Sequence, residues 1–394
     1  MMANPNIPVA IAAPVDPSES VRPSVLTKGR SQRVFVSKYK TSTKELSGDE
    51  KGTLHAQGYS SGLIQAVSRN TLAFPLRIWV VDNSGSMSMG DGHRIVETNK
   101  ANDVRLIECS RWTELQETVV YHAQMASLLE APTVFRLLND PGRAIGPQQF
   151  SVAEKGKKFL EDDLRIAQTT MARASPSGVT PLTDHIQEIR ENVMAMREQL
   201  LDAGQKVAII LATDGLPSNE FGVSNASTRT EFEGSLRSLE GLPVWVVVRL
   251  CTDEDDVVEY YNNLDGQLEL SLEVLDDFTG EAKEVYEQNK WLNYALPLHR
   301  IREMGFNHRL FDLLDERPFT LDEVKQFMVL LFGEDKMAKV PDPQIDFKGF
   351  MDSVWIIVNA EGNQWNPISR RMAPWVDMKK LKKIYKKGNC TIMQ

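Results

Sequence analysis

Apolar residues gather in a few short blocks along the chain. Ile78 to Val81, Val207 to Thr213 and Val244 to Leu250 are nearly continuous apolar runs rich in β-branched residues. Such runs predict strands buried on both faces. Thr133 to Leu138 predicts another strand, and Phe150 to Ala153 a short edge strand. Leu268 to Val274 alternates apolar and polar, the pattern of a strand with one wet face near the sheet edge. Helical periods fall between these blocks. They cover Ser60 to Asn70, Trp112 to Leu129, Lys157 to Met171, Thr228 to Leu239 and Asp253 to Leu264. Another runs from Pro181 through Leu200, where Gly204 stops it. Strands alternating with helices predict an α/β fold with a doubly wound, mostly parallel central sheet. In such sheets ligands bind beyond the carboxyl ends of the strands, where strand order reverses.

Past residue 280 the pattern is helical throughout. Glu281 to Met304 reads as a helix interrupted at Pro297. Thr320 and Glu323 form a capping box for a helix through Leu331 that Gly333 ends. Phe347 to Ile357 and Val376 to Lys387 follow. Residues 1–50 are rich in Pro, Ser, Thr and Lys without a period and predict a disordered arm. The expected organisation is that arm, an α/β domain over residues 74–304 and a helical region over 305–394. Met87 to Ser110 reads as a long polar connection, either a lid or partner-recognition loop or a floppy insertion. His122 falls near the apolar face of its helix and is expected to be a core histidine.

Among 394 residues, 42% are hydrophobic and 25% charged, as in ordinary globular proteins. The net charge of −9 argues against general nucleic-acid binding. The charge is uneven: Arg370 to Gln394 holds eight Lys/Arg against Asp377 alone, a tail of +7 on a remainder of −16. Cys109, Cys251 and Cys390 give neither a disulfide framework nor a zinc spacing, and isolated thiols fit a reducing compartment. The apolar run from Ile7 to Val15 lacks a basic flank and holds prolines. No segment is long enough to span a bilayer. The expected location is intracellular, in the cytoplasm.

The chemistry concentrates at three turns. The first strand ends in Asp82-Asn-Ser84-Gly-Ser86, where alternate side chains project together. Gly178-Val-Thr180-Pro-Leu precedes a helix, and Thr213-Asp214-Gly215 ends the second buried run. Hydroxyls and carboxylates together suit a hard divalent ion. The three turns in this order, each on the expected element, resemble a von Willebrand factor A-type (vWA) domain with a metal-ion-dependent adhesion site. The resemblance covers about residues 74 to 275, extending toward 304. It implies that Ser84, Ser86 and Thr180 would ligate a cation through their hydroxyls. Asp82 and Asp214 would act directly or through water. The ion would be Mg²⁺, or alternatively Mn²⁺ or Ca²⁺, with one position left for a partner's acidic side chain.

Competing motifs fail. An EF-hand loop from Asp82 would need Glu where His93 stands, and no phosphate-binding loop or nucleophile triad shows an informative spacing. Trp375, Met378, Leu381 and Ile384 can share one helical face amid lysines. Val376 to Lys387 is therefore a basic amphipathic segment able to meet an anionic membrane or an acidic surface. The expected function is a non-enzymatic, metal-dependent protein-binding module. The alternatives are a metal-independent scaffold or assembly subunit and, ranked below it, a Mg²⁺-dependent hydrolase.

Overall fold

The computed structural model describes residues 45–97 and 104–386, which all fall in one compact unit. Most of the predicted N-terminal arm, Lys387 and Cys390 lie outside the described residues. The arm's predicted end at residue 50 is too late: Ser47 caps helix α1 (Gly48–Ala56) through a capping box with Glu50.

In chain order there follow α2 (Ser61–Ala73), β1 (Leu76–Val81), β2 (Gly92–Glu97), β3 (Val104–Cys109) and α3 (Arg111–Leu129). Next come β4 (Thr133–Leu137), β5 (Gln149–Val152), α4 (Leu160–Arg173), α5 (Leu182–Asp202) and β6 (Val207–Thr213). Then α6 (Ala226–Arg237), β7 (Val244–Leu250), α7 (Asp255–Gln267), β8 (Leu272–Leu275), α8 (Phe278–Gln288) and α9 (Leu296–Glu303). The last are α10 (Arg309–Glu316), α11 (Leu321–Phe332), α12 (Glu334–Met337), α13 (Phe347–Ala360), β9 (Gln364–Asn366), β10 (Arg371–Ala373) and α14 (Met378–Lys386).

The fold is α/β. A six-stranded sheet has the order β5-β4-β1-β6-β7-β8. All its pairings are parallel except β4 with the edge strand β5. From β1 the chain moves outward to β4 and β5, then returns to place β6 on the other side of β1. The strand order thus reverses between β1 and β6, at whose carboxyl ends Asp82 and Asp214 sit. Every residue of β1, β4, β6 and β7 is buried, as their continuous apolar runs require. Trp79, Val81, Phe135, Ile210 and Val247 pack with apolar residues of α3 and α4 on one face. Their alternates Ile78, Val80, Ile209 and Val246 are as deeply buried, so the opposite face is covered too.

Two further predictions need correction. The connection from Met87 to Ser110 is neither irregular nor simply polar, because β2 and β3 pair as an antiparallel hairpin within it. Its strands carry charge on both faces, which hides the alternation, and Ile95 leans on the helical core. The stretch Glu281 to Met304 is two helices rather than one kinked helix, with Asn289 to Ala295 between α8 and α9. Asn289 Nδ2 donates to the carbonyls of Leu314 (2.8 Å) and Arg317 (3.1 Å), which fixes the break.

A second apolar core draws from distant parts of the chain. Leu54, Leu63 and Val67 from α1 and α2 join Leu298, Phe311, Phe327, Val354, Trp375 and Leu381 in one cluster. Most of the amphipathic face predicted for the basic tail is used here. Trp375, which precedes α14, and Leu381 are buried, Met378 is partly buried against the same core, and Ile384 is exposed.

Candidate functional site

The first turn is fixed from beneath. Asp82 is fully buried at the end of β1. Its Oδ1 accepts the Ser84 N–H (2.8 Å) and its Oδ2 accepts the Thr213 hydroxyl (2.6 Å), which joins the first turn to the third. Burial, and then the neighbouring charge of Asp214, push the Asp82 carboxyl up to about 6. Asn83 also points inward. Its Oδ1 accepts the Asn139 N–H (2.8 Å) and its Nδ2 donates to the Asn139 carbonyl (3.1 Å). Ser84 and Ser86 then present their hydroxyls 3.0 Å apart, and Ser86 Oγ donates to Asp214 Oδ1 at 2.9 Å.

The second turn is stitched to the first by backbone. The Ser177 N–H donates to the Asn83 carbonyl (2.7 Å), and the Gly85 N–H to the Gly178 carbonyl (3.3 Å). Gly178 has φ +91°, where a Cβ would lie 2.4 Å from Asn139 Oδ1. Only glycine fits that position without strain. Thr180 is buried. Its N–H donates to Ser218 Oγ and its carbonyl accepts the Ser218 N–H, both at 2.9 Å. A Cβ on Gly215 would stand 3.8 Å from Thr180 Oγ1, so the second and third turns touch. The five residues singled out in the sequence therefore lie on three adjoining loops.

These loops suit a small hard cation. Adjacent oxygens of an octahedral Mg²⁺ shell with bonds of about 2.1 Å stand about 3.0 Å apart. The successive separations Ser84–Ser86 (3.0 Å) and Ser86–Asp214 (2.9 Å) are hydrogen-bond lengths, and oxygens so spaced can also form an edge of that shell. The chemistry of the donor set, hydroxyls and carboxylates, fits the same ion.

One residue at the site escaped the sequence reading. Arg111, at the first position of α3, is buried beside Asp214, and its Nη1 donates to Asp214 Oδ2 at 3.0 Å. Asp91 grips the same guanidinium with both oxygens (2.7 and 2.6 Å), and Glu254 takes Nη2 at 2.8 Å. Burial opposes the guanidinium's charge, but these carboxylates together hold its pKa above the ordinary value. Burial raises the Asp214 carboxyl, while Arg111 and Ser86 pull it back down. Three carboxylates, Asp91, Asp214 and Glu254, thus converge on the one Arg111 guanidinium. A cation at a helix N-terminus opposes the helix dipole. An arginine directly after the cap Ser110 was the available signal.

His93 has its partner elsewhere. Its Nδ1 lies 3.5 Å from Asp277 Oδ2, which raises its pKa. His122 is a core histidine as expected, buried 4.7 Å from the Trp79 ring with Nε2 2.9 Å from Glu303 Oε2. Elsewhere, Glu281, Glu284 and Asp315 bring carboxylate oxygens within 4.8 Å of one another. Arg302 already bonds Glu281 and Asp315, so this cluster is partly neutralised by the protein itself. Among the described residues no helix is long and apolar enough to cross a membrane. No protein-family model and no curated protein matches this sequence.

Proposed function

We propose that this chain is a protein-binding module whose doubly wound, vWA-type body holds a divalent cation and engages an acidic side chain of a partner through it. Ser84, Ser86 and Asp214 would supply the shared edge of the shell and Thr180 a further hydroxyl. Asp82 would act from behind by orienting Ser84 and Thr213. The ion is Mg²⁺ on size, with Mn²⁺ or Ca²⁺ as substitutes. When bound, it would supply a Lewis-acidic position that a carboxylate can fill.

The observation that carries this reading is the chain of contacts Ser84–Ser86–Asp214 at octahedral edge spacing, located where the strand order reverses. Binding is favoured over hydrolysis because both Asp82 oxygens are engaged by Ser84 and Thr213. Each oxygen keeps a second lone pair, but these two hydrogen bonds give the carboxylate a positioning role between the first and third turns.

Calorimetric titration of Mg²⁺ and Mn²⁺ into the whole chain is the test. Saturable binding is expected, weakened about tenfold or more by Ser86→Ala and by Asp214→Asn. Partner capture from lysate should require the ion and be lost with chelator. Absence of metal binding at millimolar ion, or binding indifferent to both substitutions, overturns the reading.

A further inference from the structure

Away from the three loops, a groove of about 690 Å³ opens between α13, the β9–β10 hairpin, residues 290–293 and α14. We infer that this groove is a docking site for an acidic, amphipathic segment of a partner protein. Its walls expose more apolar than polar surface. Trp355 is 58% exposed and Ile368 is 37% exposed, beside the buried Met351 and Val358. Large side chains left open this way on a folded surface mark contact sites.

The rim is basic on a chain whose net charge is −9. Lys290, Lys379, Lys380 and Lys382 line the groove against Asp352 and Asp377. Asp377 is already engaged, since its Oδ1 accepts the N–H groups of Lys379 and Lys380 at 3.0 Å and so caps α14. Lys380 is held at the Tyr286 hydroxyl (3.3 Å). Among the described residues Lys290, Lys379 and Lys382 form no ion pair. An apolar trough under unpaired lysines is complementary to a helix with leucine-like residues on one face and carboxylates beside them.

A second observation concerns the lining. Asn293 is 3% exposed, and its Oδ1 is buried without a hydrogen-bond partner. The amide cannot simply be flipped, because Nδ2 faces the carbonyls of Gln364 and Ala373, both at 3.3 Å. The Nδ2 bonds tie residues 290–293 to β9 and β10, which holds that wall of the groove in place. Recessed apolar walls on a pre-formed groove favour an inserted protein segment over the flat face of a bilayer.

The test is fluorescence anisotropy of the full chain with labelled short synthetic peptides. These carry Leu or Phe at i, i+3, i+4 and i+7 and Glu or Asp elsewhere. Chelator is present throughout, so the result is independent of the three-loop site. Saturable binding is expected, weakened about tenfold by Lys379→Glu combined with Lys382→Glu. Trp355→Ser should weaken it similarly, and peptides of equal charge without the apolar face should bind as poorly. These side chains are exposed, and unchanged melting temperatures would confirm that the variants fold. Failure of every such peptide to bind, or binding indifferent to both variants, overturns the inference. So does co-sedimentation with phosphatidylserine vesicles, or self-association in the ultracentrifuge, if either is lost in the lysine variant while the peptides do not bind.

Discussion

Arg111 shows how much a single side chain can decide. Its guanidinium is the resident positive charge on Asp214, and the proposed metal ion would have to share that carboxylate with it. Replacing it by methionine would leave a buried carboxylate uncompensated, at a cost of about 3–5 kcal/mol. Added Mg²⁺ should restore part of that loss. Arg111→Met is therefore expected to unfold at lower urea than the parent, yet to gain more in melting temperature from Mg²⁺. Equal gains would separate the arginine from the metal site. His185 permits a test by pH. Its Nε2 donates to the Leu138 carbonyl (3.1 Å), and its Nδ1 is buried without a partner. Burial, and then the Arg136 charge, lower its pKa to about 4. The unfolded chain takes up a proton near pH 6.5 and the folded chain does not, so stability is full above that value and falls toward pH 4. A shift of this size corresponds to roughly 2–4 kcal/mol. Urea titrations at pH 7 and 4.5 should show a smaller drop for His185→Gln. At this scale the sequence exposed Asp82, Ser84, Ser86, Thr180 and Asp214, because turns that follow buried strands carry recognisable polar letters. Arg111 and Asn139 stayed hidden because each acts through partners far away in the chain.

Among the elements, the central strands were legible because burial on both faces leaves an unbroken apolar run. The hairpin of β2 and β3 was not, since neither face is uniformly apolar. Its position still matters to the site. A Cβ on Gly92 would stand 2.8 Å from the Arg111 backbone nitrogen, so the hairpin presses on the start of α3 and brings Asp91 to the guanidinium. The second turn has its own dependence on glycine. Gly178→Ala would force a left-handed conformation on alanine and drive its Cβ into Asn139, which braces Val179 through two hydrogen bonds. The expected result is about 1–3 kcal/mol of destabilisation together with weaker Mg²⁺ binding, read by urea melts and calorimetry on the same sample. Loss of stability with unchanged metal affinity would mean that the second turn contributes nothing to the site.

For the molecule as a whole, periodicity located the late helices but not what they pack against, because pairing between distant segments leaves no mark in a local pattern. The helices before the sheet and those after it share one apolar core, from Leu46 to Leu381. A buried charge cluster ties that core to the sheet. Glu303 of α9 meets His122 of α3 (2.9 Å), Arg249 of β7 (3.4 Å) and Arg300 (2.9 Å). A chain ended after residue 304 would strip α1 and α2 of their partners. It is expected to melt without a cooperative transition and to bind hydrophobic dyes. A sharp melt for that fragment would show that the sheet stands alone. Trp375→Ala, emptying a fully buried site, should cost about 3–5 kcal/mol by urea unfolding. The shared core also sets an order of events during vectorial synthesis. Leu54, Leu63 and Val67 leave the ribosome hundreds of residues ahead of Val354 and Leu381, which close the same core. At the usual rates of translation that interval lasts tens of seconds. Throughout it the earliest helices carry an uncovered greasy flank, which makes this nascent chain a natural client for chaperones that shield such surfaces until elongation ends.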